Sequence, residues 1–210
     1  MKSNNPNTGA LSSAQLAIRL PTAEAHLTQR DHSLQKIIRS HPDRWYAQPI
    51  EDPIWGLLRM VIAQQISTRV ACRIAEQLKV AYPQITNPSP AVIPDIFSLR
   101  SFGIPLRRAE CCVEIVRRSD EIRESVRQGR TWEEALAGIK GIGPWTLAVF
   151  RIMVLREPDE LPKGDIGLLR AINNIYGPRV DVEHLSEKWR PFRSVACWYL
   201  WRTLGNEQLG

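Results

Sequence analysis

The sequence lacks any long apolar run, and this absence excludes a membrane-spanning helix. A helix that crosses a bilayer needs roughly 18 or more consecutive apolar residues, and no segment of the 210 residues comes close to that length. The N-terminal stretch MKSNNPNTGALSSAQ holds one lysine and no apolar core of the kind found in secretory signals. These features predict a protein with no membrane partner, whose residues 1–20 form a mobile polar tail.

Cysteine is scarce and shows no metal-binding spacing. Two of the four cysteines are adjacent, and neither a C-x-x-C pair nor a Cys/His cluster occurs; the four are Cys72, Cys111, Cys112 and Cys197. Zinc sites and iron–sulfur clusters depend on such spacing, so neither is expected. The pattern favours reduced and mostly buried thiols.

The sequence also lacks the alternation of polar and apolar residues that marks a half-buried strand, whereas helical spacing recurs throughout. Asp52 and Pro53 predict a helix start, with aspartate as the N-cap and proline in the first turn, where its missing N–H costs nothing. Ser67 is a second candidate cap. We predict an all-α fold of about ten short helices, in which the range 21–210 forms one domain with two helical lobes and a central cleft.

Charge is unbalanced in favour of basic residues. Lys and Arg number 28 against 22 Asp and Glu, which gives a net charge of +6. A positive charge suits an anionic partner such as nucleic acid. Many basic proteins bind none, so the sign permits this class of partner without identifying it.

Residues 140–150, KGIGPWTLAVF, place two glycines directly before a helix start at Pro144. Glycine permits positive φ and a close approach of a ligand to the backbone, and the N–H groups at a helix start favour an anion. Such a turn can hold a phosphate through the backbone alone; the alternative is an ordinary corner between two helices. The expected phosphate-binding residues are Lys140, Gly141, Ile142, Gly143, Trp145 and Thr146. For Lys140 a solvated surface charge is an equal alternative.

Five segments in order resemble the helix–hairpin–helix (HhH-GPD) superfamily of DNA glycosylases, which pairs this hairpin with a glycine/proline-rich loop and an aspartate. LAGIKGIGPWTLAVF, about residues 136–150, is similar to the hairpin, and ELPKGDIGLLRAI to the loop with its aspartate, Asp165. DPIWGLLRMVIAQQIS is similar to the helix that ends in a DNA-inserting loop. FGIPLRRAE and WRPFRSVACWYLWR are similar to segments of the alkylbase branch, the 3-methyladenine DNA glycosylase II (AlkA-like) enzymes.

Two departures from the family pattern carry information. The larger bacterial alkylbase enzymes have an extra N-terminal sheet, and the resemblance is to a short form without that domain. Family members that also cut the DNA strand have a lysine where this sequence has Trp145, because a lysine is needed for the Schiff base with the sugar. The resemblance therefore implies a monofunctional glycosylase without AP lyase activity, cofactor or iron–sulfur cluster.

Asp165 is the catalytic residue that the resemblance implies. Cleavage of an N-glycosidic bond builds positive charge on the sugar, which a carboxylate can stabilise while it orients water. The position of Asp165 directly before IGLLRAI also suits a helix N-cap, and the two roles are compatible.

The resemblance implies a base-binding pocket lined by tryptophans. Alkylated purines carry a positive charge, which aromatic faces attract. Trp145 and Trp201 match the pocket tryptophans of the family, and Trp198 lies one helical turn before Trp201. For Trp201 a place in the core is an equal alternative. A core position is also the expectation for three other tryptophans, Trp55, Trp132 and Trp189.

Two further sites follow from the resemblance. Gln65, flanked by Gln64 and Ile66, aligns with the side chain that fills the gap left by a flipped base; the alternative is a helix end with two exposed glutamines. Main-chain carbonyls of the hairpin match positions that hold Na⁺ or K⁺ in relatives, and they belong to Ala137, Ile139 and Ile142.

The expected function is base excision repair by a monomer in the cytoplasm or nucleoid. Its substrate would be duplex DNA that contains 3-methyladenine- or 7-methylguanine-type bases. One alternative is a glycosylase for uracil, hypoxanthine or mismatched bases. Another is a non-catalytic DNA-binding module, although binding alone needs neither Asp165 nor an aromatic residue at Trp145.

Overall fold

The computed structural model describes residues 13–42, 52–64, 66–90 and 94–205, and this part of the chain is helical with no strand. It contains twelve α-helices, which confirms the predicted all-α class; about ten were expected. They are α1 (Ser13–Arg30), α2 (His32–Ser40), α3 (Pro53–Ala63), α4 (Thr68–Ala81), α5 (Ile96–Ser101), α6 (Leu106–Arg117), α7 (Ser119–Arg127), α8 (Trp132–Ala135), α9 (Pro144–Phe150), α10 (Ile166–Tyr176), α11 (Val182–Glu187) and α12 (Arg193–Arg202). A 3-10 helix spans Pro83–Thr86 and a π-helix spans Arg151–Leu155.

Contacts among the described residues divide the chain into two compact units. The first unit falls within Glu51–Phe150 and contains α3 to α9, and the second combines Ala10–Ile50 with Arg151–Gly210 and contains α1, α2 and α10 to α12. Helix α1 begins at Ser13, inside the range 1–20 that was expected to form a tail, while residues 1–12 lie outside the described residues. None of the described helices is long and apolar enough to cross a membrane.

Helix α3 is the centre of the first unit, where it packs against α4, α6 and α9. It starts as the sequence predicts, because the Asp52 carboxylate accepts hydrogen bonds from the N–H groups of Ile54 (3.0 Å) and Trp55 (3.1 Å), and Pro53 occupies the first turn. Ser67 caps α4, because its hydroxyl oxygen accepts a hydrogen bond from the Val70 N–H at 3.4 Å. Trp55 is fully buried, which confirms its expected place in the core.

Helix α12 is the centre of the second unit and contacts α1, α2 and α10. Every residue from Ser194 to Trp201 is buried, so this helix is enclosed on all sides. Trp189 is also fully buried, as expected for a core residue. Trp132, in the first unit, is half-buried and meets the ring of Phe150 edge-on at 5.1 Å between centroids.

Candidate functional site

The turn between α8 and α9 carries the two glycines that the sequence places before Pro144. Gly141 has φ of +100°, a left-handed value that favours glycine, and an added Cβ would lie 3.2 Å from the sulfur of Cys111. Burial raises the pKa of the Cys111 thiol to about 11, so this sulfur is a neutral packing atom. Gly143 shows no positive φ, and an added Cβ would meet nothing within 4 Å. The fold therefore requires glycine at Gly141 but not at Gly143.

The turn before α9 is accessible to solvent through its backbone and through side chains that include Lys140 and Trp145. Helix α9 begins at Pro144, as predicted, and Lys140 and Gly141 on the turn are exposed. Trp145 is 39% exposed, which is unusual for so large an aromatic residue. Thr146, the next residue, is only 4% exposed, so its side chain faces the protein.

The side chain of Thr146 meets the end of α3. Gln64 is the C-cap residue of α3, and its side-chain amide donates a hydrogen bond to the Thr146 hydroxyl oxygen at 3.2 Å. This bond joins α3 to the first turn of α9 across 82 positions of sequence. Gln65 lies outside the described residues, and Ile66 is half-buried. The prediction that Gln65 inserts into DNA therefore stays a prediction, and the sequence pattern alone did not identify the bond between Gln64 and Thr146.

Two of the three carbonyls assigned to a cation accept hydrogen bonds from the protein. The Ala137 carbonyl accepts one from the Arg118 guanidinium at 3.2 Å, and the Ile139 carbonyl accepts one from the Ile142 N–H at 3.2 Å. Arg118 also reaches the Ala135 carbonyl, at 3.4 Å. Arg118 had no role in the sequence analysis, because it precedes the hairpin by about twenty residues in a different helical segment.

Asp165 begins α10 in the second unit and is 8% exposed. Its Oδ1 accepts a hydrogen bond from the Leu168 N–H at 2.5 Å, which makes Asp165 the N-cap that its sequence position suggested. The same oxygen accepts a second bond from the Trp201 indole N–H at 2.9 Å. Two donors from different helices thus hold this carboxylate in one orientation, as a catalytic group requires.

Trp201 and Trp198 lie together on α12. Trp201 is 4% exposed, and its N–H is directed at the Asp165 carboxylate. Trp198 is 7% exposed; the Arg202 guanidinium lies 5.1 Å from its ring centroid, and the Tyr199 ring meets it edge-on. Trp201 thus adjoins Asp165, and both tryptophan rings are packed inside the second unit. Their assignment to a base pocket stays a prediction.

Gly167 is a further residue of this site that the sequence analysis did not single out. A Cβ added to Gly167 would lie 3.2 Å from Asp165 Oδ1 and 3.6 Å from Cδ1 of Trp201. Glycine therefore permits the close approach of Trp201 to the carboxylate. The nearby Cys197 thiol is neutral, because burial and then the negative charge of Asp165 raise its pKa.

The predicted residues thus fall into two groups, one in each unit. The hairpin, Gln64 and Trp145 belong to the first unit, and Asp165, Trp198 and Trp201 to the second. Within the described part of the chain, no group of three or more His, Cys, Asp or Glu residues is placed to hold a metal ion.

Comparison with known proteins finds relatives that are described as DNA-3-methyladenine glycosylases or as AlkA DNA repair enzymes. No family model matches the chain. It is 28% identical over 199 residues to a probable bifunctional transcriptional activator/DNA repair enzyme AlkA of Mycobacterium tuberculosis, which covers 88% of this chain and 40% of the relative. The chain thus spans well under half of that protein. It is 26% identical over 207 residues to DNA-3-methyladenine glycosylase 1 of Schizosaccharomyces pombe, with 90% of both chains covered.

A solved structure supports the same similarity. The 3-methyladenine DNA glycosylase of Schizosaccharomyces pombe, determined in complex with abasic DNA, matches this fold with a TM-score of 0.72 and 26% identity. The match covers 88% of this chain and 97% of the other. The helical architecture is therefore shared over nearly the whole length of that protein.

Proposed function

We infer that the chain belongs to the helix–hairpin–helix DNA glycosylases of the alkylbase branch, and on that premise we propose that it excises alkylated bases from duplex DNA. The reaction is hydrolysis of the N-glycosidic bond, which leaves an abasic site. The observation that carries the proposal is the buried Asp165 carboxylate, fixed by the Leu168 and Trp201 N–H groups at the position that matches the family's aspartate.

Asp165 would act on the sugar. As the bond between C1′ and the base nitrogen breaks, the electron pair leaves with the base and positive charge develops on the sugar. A carboxylate of fixed orientation stabilises this charge and directs a water molecule to C1′. The water contributes hydroxide to the sugar and a proton to the products, so the reaction needs no further reactant.

The leaving base also favours the reaction when it is alkylated. N3- and N7-alkylated purines carry positive charge, so they leave readily, and an aromatic face attracts them by roughly 0.5–2 kcal/mol. Trp145, 39% exposed, offers such a face. Trp201 is expected to contribute through its bond to Asp165 as well as through its ring. Because tryptophan has no amine for a Schiff base, Trp145 fits base removal without strand cleavage.

The turn before α9 would hold the DNA backbone. Its exposed main chain and Lys140 suit a phosphate, which requires N–H donors and positive charge but no base recognition. We expect a monomer that binds duplex DNA at this turn, with Gln65 probing the duplex. A protein with this activity would work where genomic DNA is, in the cytoplasm or nucleoid.

Gly143→Ala tests whether DNA approaches the turn closely. The protein itself leaves room for the added methyl group, so we expect the free energy of unfolding to stay within about 0.5 kcal/mol of wild type. If a phosphate lies against this backbone, the affinity for an abasic-analogue duplex should fall about tenfold, equivalent to roughly 1.4 kcal/mol. Fluorescence anisotropy and urea unfolding measure the two quantities.

Gly141→Ala is the matched control for that experiment. Its φ of +100° and its contact with Cys111 predict lower stability even without DNA. Unchanged DNA affinity in a fully folded Gly143→Ala protein would contradict the proposed phosphate site.

The activity itself is tested with methylated genomic DNA. After incubation with the protein, chromatography of the soluble fraction should show free 3-methyladenine and 7-methylguanine. Borohydride should trap no covalent complex between protein and DNA, because no Schiff base forms. Tight binding of abasic-analogue DNA with no base released from any damaged substrate would instead support the non-catalytic DNA-binding module.

A further inference from the structure

Arg118 connects the helices of the first unit to the hairpin. It lies at the junction of α6 and α7, as the C-cap of one and the N-cap of the other, and its side chain is 23% exposed. Its Nη1 donates to the Ala137 carbonyl at 3.2 Å and its Nη2 to the Ala135 carbonyl at 3.4 Å. Ala135 is the last residue of α8 and Ala137 directly follows its C-cap, so both carbonyls lie where the backbone leaves the helix and carbonyls need donors.

A second pair of contacts fixes the guanidinium in this position. Glu121, three residues further along, accepts from Arg118 Nε at 3.0 Å and from Nη2 at 3.1 Å. Two parallel bonds of this kind set the plane of the guanidinium group. A simple ion pair between Arg118 and Glu121 would leave the other donors directed at solvent, whereas here they meet the hairpin backbone.

The same contacts bear on the alkali cation that the family resemblance implies. Such an ion would be held by the carbonyls of Ala137, Ile139 and Ile142. The Ala137 carbonyl already accepts from a full positive charge, and an ion bound to the same oxygen would be repelled by it. The Ile139 carbonyl accepts from the Ile142 N–H within the turn. These carbonyls therefore do not fit an alkali ion as they stand.

We propose that Arg118 takes the place of the alkali cation in this hairpin, holding the turn closed through the Ala135 and Ala137 carbonyls. The turn then keeps its conformation without Na⁺ or K⁺. The link to DNA affinity rests on the proposed function, whereas the effect on the turn itself does not. Arg118 is in this sense a positioning residue, and it acts on DNA through the backbone of residues 138–143.

The first experiment measures the turn without DNA. Amide hydrogen exchange of Ile139 and Ile142 is followed by NMR in KCl, NaCl and tetramethylammonium chloride at equal ionic strength. Wild-type rates should be equal in the three salts, and Arg118→Ala should exchange about tenfold faster at these amides. Arg117→Ala is the matched control, because the neighbouring Arg117 is 65% exposed and pairs only loosely with Glu114, at 3.8 Å; it should behave as wild type.

The second experiment measures affinity for an abasic-analogue duplex in the same three salts. Wild-type affinity should agree within about twofold across them, and Arg118→Ala should bind about tenfold more weakly than Arg117→Ala in tetramethylammonium. If Arg118→Ala does not fold, Arg118→Gln, which keeps one amide donor without the charge, replaces it in both measurements.

Wild-type exchange or affinity that depends several-fold on K⁺ overturns the proposal, as does an Arg118 variant that matches Arg117→Ala. If wild type binds no DNA, the proposed function fails while the exchange measurement still decides the role of Arg118.

Discussion

Asp165→Asn should lower the release of methylated bases by roughly 10³-fold, near the upper end of the effect of removing one group that stabilises transition-state charge. Asparagine has nearly the shape of aspartate and caps helices about equally well, so α10 should keep its start. Its carbonyl oxygen can still accept the Leu168 and Trp201 N–H bonds that Oδ1 accepts in wild type. What disappears is the negative charge. Single-turnover release from methylated duplex DNA measures the loss.

The structure offers a matched control for this substitution in the same unit. Asp181 caps α11 by accepting a hydrogen bond from the His184 N–H at 3.1 Å, but it is exposed, whereas Asp165 is buried and also accepts from Trp201. Asp181→Asn should therefore retain wild-type activity. Near-wild-type activity of Asp165→Asn, with α10 and the affinity for abasic-analogue DNA intact, would show that Asp165 is only a cap.

Asp31→Asn should lower the free energy of unfolding by roughly 2–6 kcal/mol. Asp31 is 3% exposed, and its Oδ2 accepts hydrogen bonds from the Tyr176 hydroxyl and the Trp189 indole N–H, each at 2.8 Å. Lys188 lies 3.1 Å from the same oxygen. An asparagine that keeps the cap of α2 would turn its NH₂ group towards these donors. Two buried donors without acceptors cost roughly 1–3 kcal/mol each, and urea unfolding measures the sum.

The charge of Asp31 also predicts a pH dependence. Burial alone raises its pKa, but hydrogen bonds outweigh burial and bring the pKa below its ordinary value; the donors are Trp189, Tyr176, Leu34 and Lys188. A carboxyl group with a lowered folded-state pKa contributes stability above its unfolded pKa of about 3.9 and loses it as the pH falls through the folded value. Wild type should therefore lose stability below about pH 4, and Asp31→Asn should lose less over the same range.

Asp95→Asn is the control for the loss of stability on replacement of Asp31. Asp95 caps α5 through the Ser98 N–H at 2.9 Å, as Asp31 caps α2, but it is exposed. Its replacement should change the free energy of unfolding by no more than about 0.5 kcal/mol. An Asp31→Asn protein as stable as Asp95→Asn would contradict the role given to the buried carboxylate.

The local sequence was enough to predict a helix start or a cap wherever the hydrogen bonds that form it lie within one short segment. Asp52 and Pro53 predicted the start of α3, Pro144 that of α9, and Asp165 the cap of α10, because each depends on hydrogen bonds within four residues. Of the two glycines for which the sequence permitted a positive φ, Gly141 adopts one. Gly143 has no positive φ, and an added Cβ would meet nothing within 4 Å, so the described structure does not require glycine there.

The sequence by itself determined the all-α class, several helix starts and the resemblance that names the candidate aspartate, hairpin and tryptophans. Only the tertiary structure showed which long-range hydrogen bonds form around these groups. Trp201 donates to Asp165, Gln64 donates to Thr146, and Arg118 donates to the Ala137 carbonyl. The physical reason is distance along the chain. These partners are 19 to 82 residues apart, so no local period or cap encodes them, and they meet only when the helices pack. The stretch KGIGPWTLAVF thus supplies the glycines and the helix start of its own turn, whereas Arg118, which donates to the Ala137 carbonyl, comes from an earlier part of the chain.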